Sequence, residues 1–488
     1  MKIEPIPHNQ FATPSLHAQG LYIGGEWLPG QGIDVINPAT GEVLAQVADA
    51  GLEDAVKAVN AADSAALQWR KTSARERAEI LRRWFHLMNE HAEELAHLIA
   101  LENGKALPDA RGEVAYAAEF FRWYAEEAAR IPGEFRHTPS GSHHILVDHE
   151  PIGIALLITP WNFPAAMATR KIGPALAAGC CVILKPASET PLTAYAMARL
   201  GAQAGVPDGV VNVLTTSDPA GVTNAILADP RVRKLSFTGS TAVGRILLAE
   251  AAKSVVSCSM ELGGNAPFLV FDDADLDAAL DGAMVAKMRN AGEACTAANR
   301  FYVQDGIHDE FVAALTQRMA ALTVGPGTEP QTQVGPMITA AAVAKIDRLV
   351  TDAATRGARV HTGGRPLPGP GYFYPPTVMD NIPATAPIAY EEIFGPVAAV
   401  YRFNTEDEAI SMANDTEYGL AAYVYSGDMA RALRVGKRLE SGMIGINRGL
   451  MSDPAAPFGS VKQSGLGREG GVTGILEFME AKYFAVDF

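Results

Sequence analysis

The sequence predicts an α/β protein with more than one domain, and three observations carry that expectation. Short apolar runs, Ile154–Ile158, Cys181–Leu184 and Val210–Val213, alternate with helical segments such as Pro191–Gln203, which is the rhythm of a parallel sheet with crossover helices. The chain has 488 residues, several times the ~150 residues of an average domain. A hydrophobic share of 48% against 19% charged, with 46 Gly and 31 Pro spread along the chain, excludes disordered and fibrous classes.

In chain order, Leu21–Ile23, Gly24-Gly25 and Glu26–Leu28 read as a hairpin, and Pro38-Ala39-Thr40-Gly41 turns a second strand pair. From Leu52 the period becomes helical. Ser73 and Glu76 form a capping box ahead of an amphipathic run through Ile80, Leu81, Trp84, Phe85, Met88, Leu95 and Leu98, so two long helices are expected here. After the first alternating stretch, Leu235-Ser236-Phe237 leads into a strand-to-helix turn at Gly239–Gly244. Beyond Glu261 the rhythm resumes with a strand at Phe268–Phe271, helices at Ala274–Met288 and His308–Leu322, and further pairs to about Val435. Ile475 to Phe488, carrying Phe478, Tyr483, Phe484 and Val486, reads as a terminal strand whose edge invites pairing with another subunit.

The formal net charge of −15 has the wrong sign for a protein that lives on phosphate backbones or anionic lipid, so neither nucleic acid nor membrane is an expected partner. Four cysteines, two of them adjacent (Cys180, Cys181), cannot build a disulfide framework and fit a reducing, cytoplasmic compartment. Met1 to Gly20 lacks a basic-then-apolar leader design, and no apolar run approaches the ~20 residues that span a bilayer. The eleven histidines show no metal-ligand spacing, so no metal is expected.

Candidate chemistry starts at Cys295, which stands in a stretch of small residues, Asn290-Ala291-Gly292-Glu293-Ala294-Cys295-Thr296, where a thiol is reachable; a lone cysteine is more often a packed one. Upstream, Glu261 precedes Gly263 and Gly264, and Asn162 is held between aromatics and prolines in Thr159-Pro160-Trp161-Asn162-Phe163-Pro164. Gly239 to Gly244 is not a Gly-x-Gly-x-x-Gly fingerprint. In a strand-to-helix turn, Gly239 and Ser240 can still offer donors to a pyrophosphate at a helix N-terminus.

Taken together, the stretches PWNFP (160–164), KPAS (185–188), FTGSTAVG (237–244), MELGGNAP (260–267), the Cys295 segment, EEIFGP (391–396) and PFGSVKQSGLGRE (457–469) resemble the aldehyde dehydrogenase superfamily, from about Leu21 to the C-terminus. Ser460 departs from the pattern, standing where the family usually carries a second glycine. The resemblance implies a Rossmann-like cofactor domain over residues 1–130 and 152–262, an α/β catalytic domain over 263–453, and a small β oligomerisation element over 131–151 and 474–488, in a homo-oligomer that is a dimer or a tetramer.

It also implies roles. Cys295 would attack an aldehyde as thiolate, Asn162 and the Cys295 backbone N–H would stabilise the oxyanion, and Glu261 would activate the water that hydrolyses the thioester. Pro160, Trp161, Lys185, Ser188, Gly239, Ser240, Leu262, Glu392 and Phe394 resemble the family's cofactor-binding residues. Members preferring NAD commonly carry Glu at the position of Ser188, where a carboxylate would repel a 2′-phosphate, so NADP is expected over NAD.

Arg170 and Arg289 stand where dehydrogenases of plain aliphatic aldehydes tend to carry aromatics, and guanidinium suits a carboxylate. With Ser452 they match the residues by which succinate-semialdehyde dehydrogenases hold the far end of their substrate. The implied activity is oxidation of succinate semialdehyde to succinate, serving 4-aminobutyrate degradation; glutarate semialdehyde, one methylene longer, is the alternative. Ala297 stands where some such enzymes carry a second cysteine, so no disulfide gate of that kind is expected, and Cys180, Cys181 and Cys258 read as packing residues. A coenzyme-A-acylating relative would dispense with the hydrolytic base, and Glu261 argues against it.

Overall fold

In the computed structural model, which describes residues 20–30 and 32–487, five parallel strands form the middle of an eight-stranded sheet. The leaderless reading of Met1 to Gly20 falls, apart from Gly20, outside the described residues. In spatial order the five are Ser257–Glu261, Val232–Thr238, Ile154–Ile158, Cys181–Lys185 and Val211–Val213. Antiparallel strands close both sides: Gly465–Leu466 at one edge, and the hairpin Leu21–Ile23 with Glu26–Leu28 at the other. The central strands are apolar and buried along most of their length because helices cover both faces, as parallel strands require.

A second sheet of seven strands runs Arg359–Thr362, Thr377–Asp380, Val397–Phe403, Ala298–Gln304, Ala266–Val270, Ala421–Tyr425 and Met443–Ile446, parallel except at its first pair. Side-chain alternation splits its core: Phe268 and Val270 pack on one face, Leu269 and Phe271 on the other. The mixed α/β class follows from these two sheets. No helix among the described residues is long and apolar enough to cross a membrane.

Four helices, not two, follow the N-terminal strands: Leu52–Lys71, Ala74–Glu90, Ala92–Glu102 and Leu107–Glu127. The capping box is formed, with Glu76 N–H donating to Ser73 Oγ at 3.2 Å and Ser73 N–H to Glu76 Oε2 at 3.0 Å. The break at His91 carries no side-chain cap, which is why the pattern through Leu95 and Leu98 reads as continuous. The helix Pro164–Ala178 is buried at every residue. It opens on a proline whose missing N–H costs the first turn nothing, and ends at Gly179, whose φ of +100° is the left-handed conformation a C-cap needs.

The terminal segment differs from the strand expected over Ile475–Phe488. Thr473–Phe478 is a 3-10 helix whose Phe478 is buried in the first sheet's core, and the strand begins at Met479. Met479–Val486 pairs antiparallel with His144–Pro151, which pairs with Glu134–His137, so the terminal strand is one edge of a three-stranded sheet.

Candidate active site

The carboxyl ends of the parallel strands of the first sheet supply one wall of a cavity, the crevice such sheets offer to ligands. Ile154–Ile158 runs out into the loop of Pro160, Trp161, Asn162 and Phe163 before the helix at Pro164. Val232–Thr238 turns through Gly239 and Ser240 into the helix Thr241–Ala252, where Ser240 Oγ accepts from Val243 N–H at 3.3 Å. Ser257–Glu261 lies beside it in register, Thr238 opposite Glu261, and continues into Leu262 and Gly263. The facing wall comes from Arg289, Ala294, Cys295 and Thr296, Glu392 and Phe394, Ser452 and Phe458, enclosing about 280 Å³.

Cys295 lines this cavity half-buried. Burial pushes its thiol up to about 12; Glu261 and Glu392 push the same way, while Arg170 and Arg289 oppose them. Asn162 lines the cavity too and is 4% exposed. Its Nδ2 donates to Glu293 O at 3.0 Å, which uses one of two amide hydrogens, and its Oδ1 is buried without a partner. The backbone N–H of Cys295 has no acceptor among the described residues. Asn162 and Cys295, both on the cavity wall, are thereby each left with one N–H that has no acceptor among the described residues.

Glu261 is not on the cavity wall. It is 2% exposed, with both carboxylate oxygens lacking hydrogen-bond partners. Burial and the neighbouring Glu469 carboxylate hold it well above the usual carboxylate range, against the pull of Arg170, Lys171 and Arg468. Glu469 is itself held low, because Arg170 and Lys171 both pair with it and outweigh its burial.

Of the nine cofactor candidates, Pro160, Trp161, Gly239, Ser240, Leu262, Glu392 and Phe394 line the cavity, and Lys185 and Ser188 do not. Trp161 and Phe394 meet edge to face, with ring centroids 5.4 Å apart and Phe394 at φ +56°, a left-handed conformation unusual for an aromatic residue. Glu392 Oε1 accepts from Gly264 N–H at 3.0 Å, and burial lifts its carboxyl to about 7. Lys185 ends its strand 8% exposed, and burial lowers its ammonium from the usual lysine value. Half-buried Ser188 donates to Thr216 O at 3.3 Å.

Arg170, Arg289 and Ser452 all line the same cavity as Cys295. The Arg170 guanidinium lies 4.1 Å from the Phe458 ring centre and that of Arg289 5.0 Å from Phe163. Tyr116, also on the wall, feels both arginines, which moderate the upward push of burial on its phenol. Tyr116, Thr238, Lys345 and Phe458 had no signal as site residues in the sequence, since each sits in an ordinary helix or strand pattern or an unremarked part of a motif. A nicotinamide cofactor fits this lining on two grounds. Thr238 Oγ1 is buried and unpartnered beside Gly239 and Ser240 at a helix N-terminus, and Lys345 adds a cation to the wall.

Comparison with known proteins returns one consistent result. A family model described as the aldehyde dehydrogenase family matches residues 27–484. The chain is 55% identical over 444 residues to a succinate-semialdehyde dehydrogenase of Paenarthrobacter nicotinovorans, covering 91% of this chain and 99% of that protein. It is 50% identical over 481 residues to a glutarate-semialdehyde dehydrogenase of Pseudomonas aeruginosa, covering 98% of this chain and 99% of the relative. Among solved structures, an Escherichia coli enzyme described as NADP dependent superposes with a TM-score of 0.96 at 49% identity, over 98% of this chain and 100% of that one.

Proposed function

The chain belongs to the aldehyde dehydrogenase family, and from that membership we propose that it oxidises succinate semialdehyde to succinate with NADP, through a covalent cysteine intermediate. Cys295 adds as thiolate to the aldehyde carbon, and the alkoxide of the thiohemiacetal is met by the free Asn162 amide hydrogen and the Cys295 backbone N–H. NADP, when bound, supplies the hydride acceptor. With hydride lost, the carbon is a thioester on Cys295. Glu261 takes a proton from water, hydroxide adds, and the thiolate leaves as the acid forms. Its raised pKa brings the carboxyl nearer the pH at which a general base is effective.

A thiol held up at about 12 is mostly protonated at neutral pH, so Cys295 must lose its proton during addition; Glu261, whose charge acts on this thiol from behind the wall, would take that proton and release it to solvent before serving as base toward water. Pro160, Trp161, Leu262, Glu392 and Phe394 would hold the nicotinamide end of the cofactor, Gly239 and Ser240 the pyrophosphate, and Lys185 and Ser188 the adenosine ribose. The absence of a carboxylate at Ser188 favours NADP. Residues 1–130 and 152–262 would form the cofactor half and 263–453 the catalytic half. The sheet of 131–151 with 474–488 would join subunits of a cytoplasmic homo-oligomer.

One observation carries the substrate: Arg170, Arg289 and Ser452 share a cavity with Cys295 and Asn162, so an aldehyde presented to the sulfur would have a carboxylate-binding group within the same enclosure. A panel of aldehydes of increasing length, with and without a terminal carboxylate, run against NADP and NAD tests it. Succinate semialdehyde with NADP should show the highest kcat/KM. A neutral aldehyde that does as well removes the substrate assignment, and a maximum at glutarate semialdehyde lengthens it by one methylene.

A further inference from the structure

Behind the cavity wall, the Leu107–Glu127 helix carries two carboxylates one turn apart that grip the two loops of the site. Glu113, 2% exposed, pairs through Oε2 with the fully buried Nζ of Lys105 at 2.5 Å. Through Oε1 it accepts from Ala165 N–H at 2.8 Å and Ala166 N–H at 3.3 Å, the first turn of the helix that follows Asn162. The same Lys105 ammonium donates to Asn162 O at 2.7 Å. Asp109 Oδ2 accepts from Asn290 N–H at 2.9 Å. Asn290 in turn bridges the loops, its Nδ2 donating to Asn162 O at 2.9 Å and Glu293 O at 3.1 Å.

Those contacts matter because the segment before Cys295 is not relaxed. Asn290 and Ala291 both have φ of +51° and Gly292 has +79°, a left-handed run that L-residues hold only when their surroundings impose it. A Cβ at Gly292 would come within 2.2 Å of Gly395 O. Neither Asp109 nor Glu113 is on the cavity wall.

We propose that Asp109 and Glu113 are positioning residues, holding the Asn162 loop and the Cys295 loop in the register that makes their N–H groups one oxyanion site. The inference rests on the roles proposed above for Asn162 and Cys295 and extends them to groups that touch neither substrate nor cofactor. Displacing one oxyanion donor by a fraction of an ångström weakens a contact made most strongly in the transition state, so the loss appears in kcat rather than KM.

The test is Glu113→Gln, read three ways. Steady-state kcat should fall by about 10- to 100-fold while KM and NADPH binding, followed by fluorescence titration, change less than about twofold. Alkylation of Cys295 by iodoacetamide, mapped by peptide mass analysis, should stay within about twofold of wild type, because that reaction develops no oxyanion. In an Asn162→Ala background the same substitution should change kcat by less than about twofold.

A fall in alkylation that tracks kcat, a rise in KM at constant kcat, or a full effect in the Asn162→Ala background would each overturn the proposal. Removing the partner of a buried lysine can prevent folding, so Asp109→Ala serves as the second variant. It should give the same pattern, with Asp109→Asn, which keeps an acceptor for Asn290 N–H, restoring kcat; an unchanged kcat in Asp109→Ala overturns the proposal equally. Failure of the underlying reading shows elsewhere, as an Asn162→Ala or Cys295→Ala single variant that keeps wild-type turnover.

Discussion

Arg170 and Glu469 form a buried ion pair, their side chains 1% and 7% exposed, and the same carboxylate also takes Lys171 at 2.5 Å. One cation of the candidate substrate clamp is therefore fixed from behind, with its guanidinium stacked on Phe458. Arg289 is different: among the described residues no carboxylate lies within 4.0 Å of it, and it rests over Phe163. A substrate carboxylate would be the first anion Arg289 pairs with, whereas Arg170 already has one.

That contrast separates the two arginines by experiment. Arg289→Leu should raise KM for succinate semialdehyde by about 10- to 100-fold, the loss of one charge-assisted hydrogen-bonded contact, and KM for butanal by less than about threefold. Arg170→Leu should add a loss of stability of roughly 3–5 kcal/mol in urea unfolding, because it takes a partner from buried Glu469. Equal KM changes for both aldehydes in Arg289→Leu refute the clamp.

Cofactor choice is tested at Ser188. Two like charges ~4 Å apart repel by at most about 4 kcal/mol at an effective dielectric near 20. Ser188 is half-buried, and its hydroxyl makes only a 3.3 Å bond to Thr216 O, so a larger side chain there breaks little. Ser188→Glu should cut kcat/KM for NADP by about 10-fold or more and leave NAD equal or better. Wild-type kcat/KM higher with NAD than with NADP, or a variant that keeps its NADP preference, sinks the assignment.

What could be read from the chain alone were features written in contiguous residues. The hairpin at Gly24-Gly25, the capping box at Ser73 and Glu76, and the strand-to-helix turn at Gly239 and Ser240 each depend on neighbours a few positions away, and each is present as expected. Features that depend on chain reversal were not legible. Nothing local marks Glu469 as the anion of Arg170, Tyr116 as a phenol that feels two arginines, or Lys105 as the donor to Asn162 O. The same holds for Glu261. Its place among glycines suggests an accessible carboxylate, but strand pairing with Thr238 and Gly465 buries it behind the wall.

Burial also makes stability depend on pH in an unusual direction at Glu293, which is 1% exposed, accepts from Ile338 N–H at 3.2 Å and is lifted by burial to about 8. A carboxyl whose folded pKa exceeds its unfolded one binds more protons in the native state. Its contribution is therefore most favourable below the unfolded value near 4.5 and is lost as pH rises toward about 8. Glu293→Gln keeps an acceptor and removes the ionisation. Its Tm should match wild type at pH 5 within a degree or so and exceed it at pH 9, a gain on the order of a few kcal/mol. Equal Tm values at pH 9 would falsify the burial argument for this group.

Glu261 gives the sharpest test of the two-stage chemistry, because its proposed work falls chiefly after hydride has left. Glu261→Gln removes the base but preserves shape in a site where both carboxylate oxygens lack partners. Mixing the variant with substrate and NADP in a stopped-flow instrument should give one equivalent of reduced cofactor per active site, followed by turnover slowed about 100-fold or more, the contribution of a general base. The burst itself should be slower than wild type if Glu261 also helps Cys295 lose its proton. In wild type, activity should fall as pH drops through the Glu261 pKa, and burial places that limb well above the usual carboxylate range. A variant with wild-type steady-state rate excludes Glu261 as the base, and one that stalls without any burst moves its role ahead of hydride loss.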